Sequence, residues 1–176
     1  MNIKAAIDMA TAQQSVKVTP GASDLPTNWL PLREHELCLQ VELKPGEPEF
    51  EKIETLFEAE KAKQTVRTAH FIQNLKLVKV FRMQNPTLYR QYELRKEKLS
   101  ATYLNKPDVI RNLERTLFFG TSEATVSKIN SEGFDRSFCG KNMALYGKGL
   151  YFGRDLSYSC DPTYSPPNAE KSSLCM

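Results

Sequence analysis

The sequence predicts one α+β domain, because short strand-like patterns alternate with helix-like patterns along 176 residues. Residues 37–43 alternate between apolar and polar side chains, which is typical of a half-buried strand. Residues 48–63 instead place apolar side chains at helical spacing behind a first-turn proline, which is typical of an amphipathic helix. A chain of this length can bury the core of a single domain.

The next predicted strand and helix adjoin each other. Apolar residues dominate 75–83, so this stretch is predicted as a strand that stops at Asn85. The Asn85 side chain is suited to cap a helix, and Pro86 is suited to begin one. The basic residues that follow are interpreted as a solvated helix face rather than as a nucleic-acid patch.

Shorter elements are predicted in the second half of the chain. Residues 117–119 are predicted as a buried strand, and Ser122 is suited to cap a helix that runs to Ser131. Gly133 supplies the residue that ends this helix. Residues 149–152 are predicted as a second short strand, with one turn of helix after it.

Both ends of the chain differ in composition from the middle. Residues 1–24 are small and polar, so they are predicted to form a flexible leader. Residues 168–176 are predicted to form a loop-like tail. The folded domain is therefore expected over residues 25–167.

The composition argues against several classes of protein. A net charge of +3 is too small to predict binding to nucleic acid or to a membrane surface. No apolar run approaches the roughly 20 residues that span a bilayer, and the N-terminus lacks the apolar core of a secretory signal. Four scattered cysteines and two histidines show no metal-binding spacing, so neither a metal nor secretion is expected.

The stretch from Tyr146 to Tyr164 has the composition of a ligand-binding wall. It holds five aromatic residues and three glycines in nineteen positions. Glycines allow a ligand to approach the backbone closely, and aromatic rings offer flat faces for stacking. This mixture predicts a site for a flat, polar, ring-bearing ligand.

Four motifs carry a resemblance to a known family. They are, in chain order, RMQNPTLYRQYELRKEKL, LFFGT, GFDRSFCGKNMALYGKGLYF and SYSCDPTYSPP. In this order and spacing they resemble the catalytic domain of the PARP superfamily, the ADP-ribosyltransferases of the diphtheria-toxin type. The likeness is to the mono-ADP-ribosylating, macrodomain-associated branch, and it runs over residues 25–167.

The resemblance implies a fold and a reaction. The family fold is a split, mostly antiparallel β-sheet with a cleft for NAD, which is a co-substrate; no metal is implied. The family transfers ADP-ribose from NAD to protein acceptors and releases nicotinamide. The transition state resembles an oxocarbenium ion, so rigid positioning and charge stabilisation supply the rate.

The resemblance also assigns residues around nicotinamide. Gly120 matches the glycine whose backbone binds the nicotinamide amide, and Ser159 matches the serine whose hydroxyl binds the same amide. Tyr164 matches the tyrosine that stacks on the nicotinamide ring, and Tyr158 lines the same pocket. Tyr151 matches the tyrosine of the family's His–Tyr–Glu set.

Further residues follow from the same comparison of motifs. Thr121 comes after the binding glycine in a turn from strand to helix. Asp135 and Arg136 lie in the loop that is expected near the adenosine half of NAD, although Arg136 is more typical of a surface arginine than of a pyrophosphate contact.

Two departures from the family pattern bear on activity. Phe119 occupies the position of the family histidine, and a phenylalanine has neither a donor nor an acceptor for a ribose hydroxyl. In the family, further strands follow, including the strand with the third residue of the set. The sequence therefore predicts a domain that is incomplete at its C-terminal end, with a tail at 168–176 outside the family.

Three functional hypotheses remain open at this point. The chain is an impaired NAD-dependent mono-ADP-ribosyltransferase, an inactive binding or scaffold module of the same fold, or a truncated product without function. Protein acceptors are the expected partners of the first, and the oligomeric state is left open. A nuclear or cytoplasmic location is expected from the family and from the reduced cysteines.

Overall fold

The computed structural model describes residues 2–6, 24–63, 72–135, 147, 149–167 and 172–175. Strands and helices are interspersed along these residues, in an α+β arrangement. In chain order the elements are β1 (Asn2–Ala6), β2 (Leu39–Leu43), α1 (Pro48–Ala62), β3 (Lys76–Gln84), α2 (Pro86–Thr102), α3 (Pro107–Arg111), β4 (Gly120–Thr121), α4 (Glu123–Glu132), α5 (Leu156–Ser159) and β5 (Ser172–Cys175).

The first helix confirms the amphipathic pattern. Pro48 occupies the first turn of α1, where a missing backbone N–H costs no helical hydrogen bond. Phe50, Ile53 and Phe57 are all buried along one face. The helix ends at Ala62, one residue before the predicted end.

Asn85 caps α2 as the sequence predicts. Its side-chain oxygen accepts the N–H of Leu88 at 3.0 Å. Its amide nitrogen donates to the carbonyls of Asn130 at 2.9 Å and Ser131 at 3.2 Å. One side chain therefore joins the start of α2 to the end of α4. Gly133 ends α4 with a φ of 81°, which a glycine adopts without strain.

The five described strands form one sheet in the order β2-β3-β1-β5-β4. The pairs β2–β3 and β5–β4 at the two edges are antiparallel, as expected. However, β1 runs parallel to both of its neighbours, so the sheet is mixed at its centre. The strand predicted over 37–43 begins only at Leu39, and Leu37 remains exposed.

Both ends of the chain differ from the sequence-based expectation. Asn2–Ala6, inside the predicted leader 1–24, forms the central strand. Ser172–Cys175, inside the predicted tail 168–176, forms β5. The physical reason is backbone pairing: β3 and β4 each have an open edge whose N–H and C=O groups these segments satisfy.

The two short strands predicted at 117–119 and 149–152 meet at a single bridge. Phe118 and Gly153 exchange two backbone hydrogen bonds, each of 2.8 Å. Residues 149–152 form no strand, so that prediction was wrong. Their alternating pattern suits a pleated strand, but ladder pairing in this described stretch is limited to Gly153.

Among the residues that the structure describes, the hydrophobic core consists of two clusters that meet at Leu77. One cluster packs α1 against β2 and β3. The other cluster joins the end of α1 to the bridge and to α5. Its buried members are Phe57, Ile72, Leu75, Phe118, Leu156 and Cys160.

A buried arginine fastens the segment before β2 to the rest of the domain. The Arg82 guanidinium on β3 forms an ion pair with Glu49 of α1 and donates to the carbonyl of Asn28 at 2.9 Å. The Asn28 side chain in turn donates to Glu49 at 2.8 Å. Nearby, the rings of Trp29 and Tyr89 meet edge to face at 5.2 Å.

Candidate functional site

Gly120 and Ser159 lie in direct backbone contact at the centre of the candidate site. A Cβ added to Gly120 would fall 2.1 Å from the Ser159 carbonyl oxygen and 2.7 Å from the Ser165 hydroxyl oxygen. No side chain fits in that space. The strand β4 and the end of α5 therefore touch at a position that only glycine can occupy.

The Ser159 hydroxyl is buried and uncommitted. Ser159 is 1% exposed, and its Oγ has no hydrogen-bond partner within the described residues. A Cβ at Gly153 would lie 3.0 Å from this oxygen, so glycine also makes room here. Because buried polar groups are nearly always hydrogen-bonded, this hydroxyl is available to bind a ligand.

The turn after α5 is held by its own hydrogen bonds. Ser165 donates its hydroxyl to the carbonyl of Ser159 at 2.6 Å. The Asp161 carbonyl accepts the N–H groups of Tyr164 at 2.9 Å and Ser165 at 2.8 Å. The Asp161 carboxylate accepts the N–H of Thr163 at 2.8 Å, as in an Asx turn. These bonds make the turn rigid around Ser159.

Two tyrosines form an aromatic face beside the serine. The rings of Tyr158 and Tyr164 lie 4.6 Å apart between centroids and are tilted by 31°. Because the two rings touch each other, a flat ligand has room only on an outer face of the pair. Tyr158 is 42% exposed, so such a face is open to solvent.

Tyr151 lies on the segment that the Phe118–Gly153 bridge fastens beside β4. Its hydroxyl donates to the carbonyl of Gly147 at 2.5 Å. The structure thus ties the ring of Tyr151 to the glycine turn that precedes it, and Gly147 adopts a φ of 93° there.

Phe119, which the motif resemblance places at a histidine position, packs in a cluster of three phenylalanines. Its ring lies 5.1 Å from that of Phe134 and 5.2 Å from that of Phe152. Phe134 and Phe152 are themselves 5.0 Å apart. Phe152 alternates with Tyr151 along the chain, so this segment turns an apolar ring toward Phe119. The surroundings of Phe119 are therefore apolar.

The remaining predicted residues lie around this centre. Thr121 is buried at the end of β4, one residue after Gly120. Asp135 is exposed and follows Phe134 of the phenylalanine cluster. Arg136 lies outside the described residues.

Two residues near the site, Ser165 and Glu60, were not predicted as part of it. Ser165 contacts Ser159, as does Gly153 of the predicted ligand-binding wall. The motif SYSCDPTYSPP contains Ser165 and could have indicated its role. Glu60 is buried on α1 and accepts the N–H of Leu156 at 3.2 Å. The helical spacing of Phe57 and Glu60 on one face could have indicated that burial.

Glu60 also pairs with Lys63 in the next turn. Its hydrogen bond, and then its charge, raise the pKa of the Lys63 ammonium above its ordinary value. Among the described residues, no cluster of histidine, cysteine, aspartate and glutamate is arranged to hold a metal ion. In that same part of the chain, no helix is long and apolar enough to cross a membrane.

A comparison with known protein families shows the family of this chain. Residues 47–176 match the sequence profile of the poly(ADP-ribose) polymerase catalytic domain. The chain belongs to the PARP catalytic domain family. This result confirms the membership inferred from the four motifs. The match also covers residues 168–176, which were predicted to lie outside the family.

Several named PARP proteins resemble the chain. Human protein mono-ADP-ribosyltransferase PARP14 is 36% identical over 87% of this chain and 8% of its own length. Mouse PARP10 is 44% identical over 54% of this chain and 10% of its own length. Human PARP12 is 30% identical over 86% of this chain and 20% of its own length. The chain thus spans a fifth or less of these relatives.

Proposed function

We propose that this chain is an NAD-dependent ADP-ribosyltransferase domain that transfers ADP-ribose to protein side chains. The observation that carries the proposal is the uncommitted, buried hydroxyl of Ser159, a residue whose carbonyl lies against Gly120 and which directly follows Tyr158 of the Tyr158–Tyr164 pair. A nicotinamide amide would accept from that hydroxyl and pair with the Gly120 backbone. Its ring would stack on the outer face of Tyr164, which is the chemistry of a flat, polar, ring-bearing ligand.

The reaction follows from what such a site holds still. The bond between the nicotinamide nitrogen and C1 of its ribose breaks, and the electron pair leaves with nicotinamide. A nucleophilic side chain of the acceptor protein bonds to C1 and loses a proton. Gly120 and Ser159 would fix the leaving group, and Tyr151 would flank it, so that the ribose carbon meets its acceptor in a set geometry.

Phe119 favours a second candidate function, that of an inactive binding module of the same fold. Its ring packs against Phe134 and Phe152 and offers no hydrogen bond to a ribose hydroxyl. A missing hydrogen bond of this kind weakens binding by roughly 1–3 kcal/mol, which is about one to two decades. We therefore propose that turnover is impaired.

A nicotinamide-release assay on the purified chain tests the proposal. The assay uses NAD labelled in its nicotinamide ring, with a parallel sample labelled in ADP-ribose to follow transfer to protein. We expect release and transfer that are lost in Tyr151→Ala and kept in Tyr103→Ala, a tyrosine at the end of α2. Absence of release together with binding of nicotinamide alone favours the inactive module.

Two expectations stay predictions beside this proposal. They are a nuclear or cytoplasmic location and protein acceptors as partners. The names of the relatives support acceptors that are proteins. Transfer of labelled ADP-ribose to added proteins checks the last of these.

A further inference from the structure

Glu60 is a buried carboxylate that reaches from α1 to the candidate site. It is 6% exposed and lies on the same helical face as Phe50, Ile53 and Phe57. One of its oxygens accepts the N–H of Leu156 at 3.2 Å. A buried carboxylate destabilises a domain unless it is paired and hydrogen-bonded. The contacts of Glu60 with the Leu156 amide and the Lys63 ammonium meet this requirement.

Leu156 is the first residue of α5, the short helix that carries Tyr158 and Ser159. The first N–H groups of any helix have no partner within the helix. Asp155 stands at the capping position of α5, but its side chain makes no capping hydrogen bond. Glu60, 96 residues earlier in the chain, satisfies the N–H that a local cap leaves open.

Leu156 also makes an apolar contact with α1. Leu156 packs in the core cluster with Phe57, one helical turn before Glu60. Packing alone would hold α5 near α1, but it would not fix the rotation of the helix about its own axis. A charge-assisted hydrogen bond to the first N–H sets that rotation. The rotation decides where the Ser159 hydroxyl points.

We infer that Glu60 is a positioning residue that orients α5, and so the Ser159 hydroxyl, for nicotinamide. This inference rests on the proposed function of the site. Glu60 acts through Leu156 and does not touch the ligand. Its removal is therefore expected to weaken nicotinamide binding without unfolding the domain.

Four variants of the full chain test the inference by calorimetric titration with nicotinamide. Glu60→Leu removes the acceptor and suits the apolar surroundings, whereas Glu60→Gln keeps a carbonyl acceptor. Glu60→Asp keeps the charge but shortens the side chain, and it serves if Glu60→Leu does not melt cooperatively. Glu58→Leu is the matched control, because Glu58 is exposed and pairs with Lys61 at the same spacing.

We expect nicotinamide to bind about tenfold more weakly to Glu60→Leu and Glu60→Asp. Glu60→Gln is expected to stay within about twofold of the unchanged chain, and Glu58→Leu to match it. Equal affinity in Glu60→Leu and the unchanged chain overturns the inference. So does a Gln variant as weak as the Leu variant, since the acceptor would then be immaterial.

Hydrogen exchange at the Leu156 amide separates this inference from the proposed function. We expect faster exchange there in Glu60→Leu and Glu60→Asp, and unchanged exchange in Glu58→Leu. If the unchanged chain binds no nicotinamide, the proposed function fails. In that case the inference that Glu60 orients Ser159 for nicotinamide fails too. Unaltered exchange at Leu156 in Glu60→Leu would also reject the orienting contact itself.

Discussion

The α-carbon of Gly120 lies so close to Ser159 that a Cβ there would fall 2.1 Å from the Ser159 carbonyl oxygen. The obstacle is backbone, which cannot rotate away as a flexible side chain can. The glycine is thus required by the fold of the site itself. A site in which the strand and the turn touch backbone to backbone has little freedom to adjust to a different ligand.

Gly120→Ala is expected to separate β4 from the end of α5, where Ser159 lies. The forced displacement should lower the free energy of unfolding by about 1–3 kcal/mol and abolish nicotinamide binding. Thermal melting and calorimetric titration measure the two effects. Gly149→Ala is the control, because a Cβ at Gly149 meets no described atom within 4 Å. Equal behaviour of the two variants would refute this explanation.

Ser159→Ala is expected to weaken ligand binding, whereas Ser165→Ala is expected to lower stability. The Ser159 hydroxyl has no described partner, so its loss should change the stability by less than about 0.5 kcal/mol but weaken nicotinamide binding about tenfold. Ser165 donates to a buried carbonyl, so its loss should lower the stability by about 1 kcal/mol. Chemical denaturation with parallel titrations distinguishes them. A strongly destabilised Ser159→Ala would contradict the ligand-binding role.

Phe119→His is expected to increase the affinity for NAD while its affinity for nicotinamide alone stays unchanged. The imidazole supplies a hydrogen bond that phenylalanine lacks, and only NAD has the ribose that would use it. Loss of ring contacts with Phe134 and Phe152 should lower the stability by about 1 kcal/mol. Calorimetric titrations with NAD and with nicotinamide measure the two affinities. Phe119→Leu, which loses the rings and adds no donor, is the control and should show no gain for NAD.

The cluster of Tyr92, Lys96 and Glu114 predicts a dependence of stability on pH. Burial raises the pKa of Glu114, but hydrogen bonds from Tyr92 and Lys96 lower it by more, so that it lies below its ordinary value of 4.5. A carboxyl whose pKa is lowered by folding stabilises the fold fully at pH values above its ordinary pKa. This contribution is lost as the pH falls through the lowered pKa. Glu114→Gln should therefore be less stable than the unchanged chain at neutral pH, and the difference should shrink in acid.

The size of this effect is limited by solvent. The Glu114 side chain is 42% exposed, so screening keeps the difference below about 1 kcal/mol. Urea denaturation of both chains at neutral and acidic pH measures it. A difference that stays constant with pH would show that the Glu114 charge does not contribute.

Local chemistry explains which elements the sequence could predict. Asn85 and Pro86 were assigned correctly because a helix cap depends on residues close in the chain, as its bond to Leu88 illustrates. The pairing of β1 with β3 and β5 could not be predicted in this way, since it joins segments far apart in the sequence. The same limit explains the error over 149–152, where the pattern was strand-like but only Gly153 found a partner.

The candidate site divides along the same line. The family motifs assigned Gly120, Ser159 and Tyr164, which the structure gathers around one turn. Glu60 escaped prediction because its partner, the Leu156 amide, lies on a distant segment. An acidic residue on a helix is usually solvated, so sequence alone gave little reason to place this one in the core.

The contacts of Arg82 with Asn28 and Glu49 extend the folded domain beyond the stretch that the family match covers. The match begins at residue 47, whereas Arg82 donates to the carbonyl of Asn28, and Trp29 packs on Tyr89. Expression of a fragment cut at residue 47 would leave a buried cation with one partner fewer and a ring uncovered. Such a fragment would be expected to precipitate, so the practical starting point for producing this domain lies before Asn28.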